Sequence, residues 1–132
     1  MTFEQIRSIV ITRMTQWTGI PATSVDYPNN NVPFDPAGKP IWARLANIPG
    51  LSSTPEIGLT PHVRKTGIIV VQLFVPTYKG TLAITKAADT LVEHFQFFSQ
   101  GAFGCFEASA AQIGDDGLGF WQVNVSIPYR AH

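Results

Sequence analysis

The groups in this sequence able to do chemistry are few, and their spacing assembles no reaction centre. The histidines, His62, His94 and His132, stand far apart. None lies at ligand spacing with another His, Cys or carboxylate, as a zinc site requires. Cys105 is the single cysteine, so no internal disulfide is possible, and that usage fits a reducing compartment. Its neighbours Phe103, Gly104 and Phe106 suit a small core residue better than a reactive thiol. Asp115 and Asp116 are adjacent carboxylates. They could hold a hard cation through oxygen ligands, but Gly114-Asp115-Asp116-Gly117 is also a turn in which Gly and Asp supply positive φ. P-loop, GxSxG elbow and Rossmann fingerprint are all lacking, and the Gly-rich run at 101–104 reads as a helix exit. No nucleophile is paired with a base, so neither catalysis nor a metal or cofactor is expected.

The chemistry that remains is contact chemistry, and it concentrates between Tyr27 and Arg44, YPNNNVPFDPAGKPIWAR. Four prolines and three consecutive asparagines exclude a helix or central strand through most of this stretch. Yet it carries Tyr27, Phe34 and Trp42, which a solvated linker does not need. We expect an ordered arm, pinned by aromatic contacts, that delivers the chain into a strand at Trp42. Loops this long in a compact domain tend to be functional or disordered.

Composition narrows the partners. Nine basic residues against nine acidic ones leave no net charge, which removes the footprint of a nucleic-acid binder and any polybasic membrane patch. Near-neutral surfaces tend to associate. No run approaches the roughly 18 apolar residues of a membrane helix, and the opening MTFEQIRSIVITRM breaks its apolar runs with Arg or Gln, so no signal peptide is expected. A soluble single domain spanning residues 1–132 is the expectation.

The elements that must position the arm follow from periodicity. Phe3, Ile6, Val10 and Trp17 recur at helical spacing, with Thr2 and Gln5 as a capping box and Gly19 and Pro21 as the stop. A second helix is expected over Thr81–Phe98, with Ile84, Ala88, Leu91, Phe95 and Phe98 on one stripe. Strands are expected at Trp42–Ile48, Gly67–Pro76, Phe106–Ile113 and Phe120–Tyr129. The second is apolar on both faces, Ile69/Val71/Leu73/Val75 and Ile68/Val70/Gln72/Phe74, as a strand covered on both sides would be. A Pro-rich stretch from Pro49 to about Lys65 reads as a mobile loop. The order predicts an α+β fold: a four-stranded mixed β-sheet with two main helices packed on it, plus long Pro-rich loops.

At this point the residues resemble a family. Tyr27-Pro28-Asn29, Phe34-Xaa-Pro36 and Trp42-Xaa-Arg44, then Arg64 and Gly67 before the apolar strand to Pro76, Gly80, Ala88-Asp89, Phe95 and the closing WQVNVSIPY from Trp121, are similar to tail terminator (tail completion) proteins of long-tailed bacteriophages, the group related to lambda minor tail protein U. The extra asparagines at 29–31 lengthen the arm relative to that pattern. The resemblance covers nearly the whole chain. It implies a virion assembly protein without catalysis: a homo-hexameric ring on the finished tail tube that ends polymerisation and offers a face to the head-side connector. Candidate contact residues are then Phe34, Trp42, Arg44, Arg64 and Phe74. Arg44 and Arg64 would pair across subunits or with tube carboxylates, or else be solvated or paired within the chain. Another head–tail connector or tube component, or a small ligand-binding domain or enzyme built in a curved sheet, are the competing readings.

Overall fold

The two apolar faces of the 67–76 stretch come to lie at the centre of a sheet. In the computed structural model, which describes residues 1–50, 52, 58 and 63–132, helix α1 (Phe3–Thr15) is followed by strands β1 (Val25–Asp26), β2 (Trp42–Pro49) and β3 (Lys65–Pro76). Helix α2 (Leu82–Phe95) and strands β4 (Ser99–Gln100), β5 (Phe103–Cys105), β6 (Ser109–Asp115) and β7 (Phe120–Ala131) complete the chain. The strands form one mixed sheet of order β1-β2-β3-β7-β5-β4, with β6 also paired to β7. The fold is α+β, but the expected four-stranded sheet is incorrect: seven strands build it among the described residues. The three additional strands, β1, β4 and β5, are two or three residues long, too short to carry a readable alternation. They are recruited by register, β1 parallel onto Ala43–Arg44 and β5 antiparallel onto Tyr129–Ala131. The expected mobile stretch from Pro49 to Lys65 falls largely outside the described residues, as does His62.

Both helices cover the same sheet face. Ile6, Val10 and Met14 of α1 and Ile84, Ala88, Leu91 and Phe95 of α2 join Ile69, Val71, Leu73 and Val75 of β3 and Val123, Val125 and Ile127 of β7 in one buried cluster. Burying each such aliphatic chain stabilises by about 1.5–3 kcal/mol. Thr2 and Gln5 make the expected capping box at the start of α1. Phe3, expected on the apolar stripe, is instead largely exposed, with the Lys65 ammonium 5.3 Å from its ring.

The prolines of the sheet sit where the ladder does not need their missing N–H. Phe106 N donates to the Pro128 carbonyl at 2.8 Å, so the backbone of Pro128 faces the break between β5 and β6 rather than β3. Gly50 N donates to Thr66 O at 2.7 Å. Pro49, one residue earlier, therefore turns its ring nitrogen to the open edge of β2.

Two close contacts fix the ends. A Cβ on Gly67 would stand 2.6 Å from Tyr129 Cζ and 2.8 Å from the Ile48 carbonyl oxygen; the bare backbone lets the tyrosine lie across it and donate to Asn47 Oδ1 at 2.8 Å. At the other end of the helical layer, Arg13 Nε and Nη2 donate to the His94 carbonyl at 3.1 and 2.6 Å. His94 Nε2, in the tautomer carrying a proton there, donates back to the Arg13 carbonyl at 2.7 Å. The Arg13 guanidinium also lies 4.2 Å from the Phe98 ring centre, and Trp17 Nε1 reaches Thr90 Oγ1 at 3.2 Å.

Gly67→Ala is expected to cost about 1–3 kcal/mol, read as a lowered urea midpoint; an unchanged midpoint would mean that Tyr129 moves aside freely. Burial lowers the proton affinity of His94 below its ordinary value of 6.5, the bond to the Arg13 carbonyl opposing and the Arg13 charge reinforcing the shift. The unfolded chain then binds the proton first. This contribution to stability is complete above the ordinary value and is lost as pH falls through it toward the lower folded value. His94→Gln is expected to flatten the acid side of a plot of thermal midpoint against pH.

Candidate functional site

Trp42 and Phe74 are buried, at 3% and 4% exposure, yet neither belongs to the cluster beneath the helices. They face the opposite, helix-free side of the sheet, because register pairs Trp42 with Phe74 and Phe74 with Gln122, and directly opposed residues share a face. Their rings stack at 4.1 Å and 13°. Phe34, from the arm, lies on Trp42 at 5.4 Å. Phe120 closes the group edge-on, 5.4 Å from Trp42 and 6.3 Å from Phe74. The arm thus roofs a second, aromatic cluster at one end of the open face.

The arm is shaped by its own polar residues. Asn29 adopts φ +50, which asparagine tolerates better than most side chains. Asn30 Nδ2 donates to Asp26 Oδ1 at 2.9 Å. Asp35 Oδ1 accepts from Ala37 N at 3.0 Å, Lys39 N reaches the Pro36 carbonyl, and Gly38 takes φ +74 to close that turn. Lys39 then sits 5.6 Å from the Phe34 ring. Arg44 is paired within the chain, its Nε 3.2 Å from Asp26 Oδ2, with the guanidinium 5.3 Å from Trp42 and 5.7 Å from Phe74. Half-exposed pairs of this kind contribute about 0–1 kcal/mol, so Arg44 trims the aromatic edge more than it anchors the fold.

Four of the five expected contact residues therefore meet: Phe34, Trp42, Arg44 and Phe74. Arg64 does not. It lies ten residues from Phe74 at the far end of β3, about 33 Å away along an extended strand, and its buried Nε has no hydrogen-bond partner among the described residues. Phe120 was missed. Its membership depends on the β3–β7 register, which local pattern does not reveal. The Trp42 indole Nε1 is likewise buried without a partner among the described residues.

At the Ile68 end the open face presents apolar side chains that no described residue covers fully. Ile48, Ile68 and Phe106 are 55%, 42% and 44% exposed, and with Pro128 and Gly67 they line a cleft of about 390 Å³. The groups that first suggested chemistry have structural employment. Cys105 is buried and its thiol is pushed up to about 12 by burial. Asp115 Oδ1 accepts from Gly117 N, and Asp116 Oδ1 accepts from Leu118 N and Phe120 N. No group of three or more His, Cys, Asp or Glu side chains suited to a metal occurs among the described residues.

Comparison with known proteins identifies the family. The family profile described as phage tail terminator protein matches residues 5–129. This chain is a member of the phage tail terminator family. It is accordingly a phage tail assembly protein, of a family placed in the virion tail and working through contact with other tail components. A solved structure superposes with a TM-score of 0.74, covering 100% of the terminator chain and 96% of the other at 19% identity, a likeness that speaks for the fold. No curated protein matches the terminator by sequence.

Trp42→Phe, which removes an N–H without a partner among the described residues but keeps a stacking ring, is expected to change stability by less than about 1 kcal/mol, because the lost area offsets an orphan donor costing about 1–3 kcal/mol. Trp42→Ala is expected to cost about 3–5 kcal/mol. A loss of about 2 kcal/mol or more in Trp42→Phe by urea unfolding would show that the indole nitrogen is satisfied.

Proposed function

We propose that this terminator assembles as a closed ring, a homo-hexamer as the resemblance implies, on the head-proximal end of a completed siphophage tail tube. There it ends tube polymerisation and presents the joining surface to the head-side connector. The chain acts as a single domain, assembles in the host cytoplasm before entering the virion, and is kin to lambda minor tail protein U. Its role is assembly, not catalysis.

The observation that carries this reading is the sheet face without helices. It holds an aromatic cluster roofed by a loop at one end and exposed Ile48, Ile68 and Phe106 at the other. A chain with no net charge that leaves such a face bare is suited to protein contact. A ring requires each subunit to offer two different patches, and this face has two ends of different character. Arg64, with its Nε unsatisfied among the described residues, is the better candidate to meet a carboxylate of a neighbour or of the tube; Arg44 already has Asp26.

Sedimentation of the purified protein tests the reading. The expected result is a discrete oligomer that binds isolated tail tubes and halts their extension; a monomer at every concentration and salt, without tube binding, would sink it. Phe34→Ala is expected to weaken ring assembly or tube binding by ten-fold or more. Its cost to monomer stability should be about 0.5–1.5 kcal/mol, the worth of one aromatic pair. Equal loss of both would mark Phe34 as a fold residue.

A further inference from the structure

At the end of the sheet remote from the Ile48–Ile68–Phe106 cleft, two loop tips stand side by side. The β3–α2 turn presents Tyr78, fully exposed at 101%, and the β6–β7 turn presents Leu118 at 81%. Neither tip is slack. Thr77 N and Oγ1 both donate to the Gly119 carbonyl, at 3.0 and 3.4 Å, joining the two loops. Asp116 Oδ1 holds the amides of Leu118 and Phe120 at 2.7 and 3.1 Å. Tyr78 is held at φ +66, a conformation that costs a bulky L-residue about 1–3 kcal/mol and persists where the surroundings impose it. The chain thus keeps a strained, cross-linked turn that points a tyrosine at nothing within its own fold.

We infer that the Tyr78–Leu118 tip of one copy seats in the Ile48–Ile68–Phe106 cleft of the next, forming the heterologous joint of the ring; this rests on the assembly reading above. The occupant is a second copy because the molecule carries both halves of the contact. The tip is convex and apolar, and the cleft is concave and apolar, with room for a tyrosine and part of a leucine in its 390 Å³. Tip and cleft lie about 30 Å apart along β3, so neither can satisfy the other within one chain. Their charges also match. The tip carries Asp115 and Asp116 beside Leu118 against a single Lys79 beside Tyr78, a net negative balance. At the cleft the Arg130 guanidinium stands 5.5 Å from the Phe106 ring, and alternation along β3 places Arg64 on the same face as Ile68. An aromatic anchor filling an apolar pocket, with an arginine at its rim, is the composition of an interface hot spot. A joint between unlike patches on one chain propagates until the rotation closes it.

The test uses two variants of the full chain and sedimentation of each alone and mixed. A tip variant, Tyr78→Ser with Leu118→Asp, changes side chains that are mostly or wholly in solvent. A cleft variant, Ile68→Glu, changes a half-exposed one. Circular dichroism first establishes that both fold. Each alone is expected to lose the wild-type oligomer, its apparent dissociation constant rising at least 100-fold. Mixed in equal amounts they are expected to form a one-to-one dimer and nothing larger, since the tip variant keeps a cleft and the cleft variant keeps a tip. Wild-type oligomers that persist in either folded variant, or two monomeric variants that fail to dimerise when mixed, would overturn this joint and leave the ring reading intact. A wild-type protein that is monomeric throughout would overturn both. Should Ile68→Glu not fold, Phe106→Ser takes its place under the same criteria.

Discussion

Everything in this molecule hangs on the antiparallel ladder between β3 and β7. It runs twelve residues, from Lys65 opposite Ala131 to Pro76 opposite Phe120. One edge of the pair accepts β2 and, through it, β1; the other accepts β5 and β6 end to end. One face receives both helices. A ladder of this length with apolar residues on alternate positions permits one register, because a single-residue slip would turn Val71, Leu73, Val123 and Val125 out of the core. That same register delivers Phe74 and Phe120 to the open face beside Trp42. The core and the aromatic face are therefore two readings of one alignment of strands.

Where pairing is locally periodic, the chain announces its structure. The 67–76 stretch is a nearly continuous apolar run, the 120–129 stretch alternates, and Thr2 and Gln5 predict the start of α1 to the residue. The helix stripe Ile84, Ala88, Leu91 and Phe95 is buried as its spacing implies, whereas Phe98, expected at its end, lies beyond the helix, which stops at Phe95. What the local pattern cannot convey is recruitment. Phe103–Cys105 becomes a strand because β7 extends past β6 and offers an edge, and Ser99–Gln100 then pairs with Phe103–Gly104; in isolation this stretch resembles a helix exit. The contact cluster was legible to the same extent. Tyr27–Arg44 stands out by its aromatics, and Phe34, Trp42 and Phe74 do assemble, but Phe120 joins them through a partner strand 46 residues earlier. Arg64 belongs to the opposite pole. Tyr78 and Leu118 are neighbours through hydrogen bonds from Thr77 to Gly119, 42 residues apart in sequence, and nothing in either turn alone points to the other.

The glycine and proline positions express one economy of hydrogen bonding. Pro128 and Pro49 turn toward a gap and toward a free edge. Gly67 yields its side-chain space to Tyr129, whose hydroxyl then finds Asn47. Each apparent defect in a central strand is matched by a neighbour that uses the vacancy, so the sheet stays satisfied while bending around its interruptions.

The separation of the Trp42–Phe74 cluster from the helix-covered core has a further consequence. Phe34, Trp42 and Phe74 can be substituted without removing a member of the main cluster, because none of them belongs to it. A TM-score of 0.74 at 19% identity shows that this same fold is compatible with a largely different sequence.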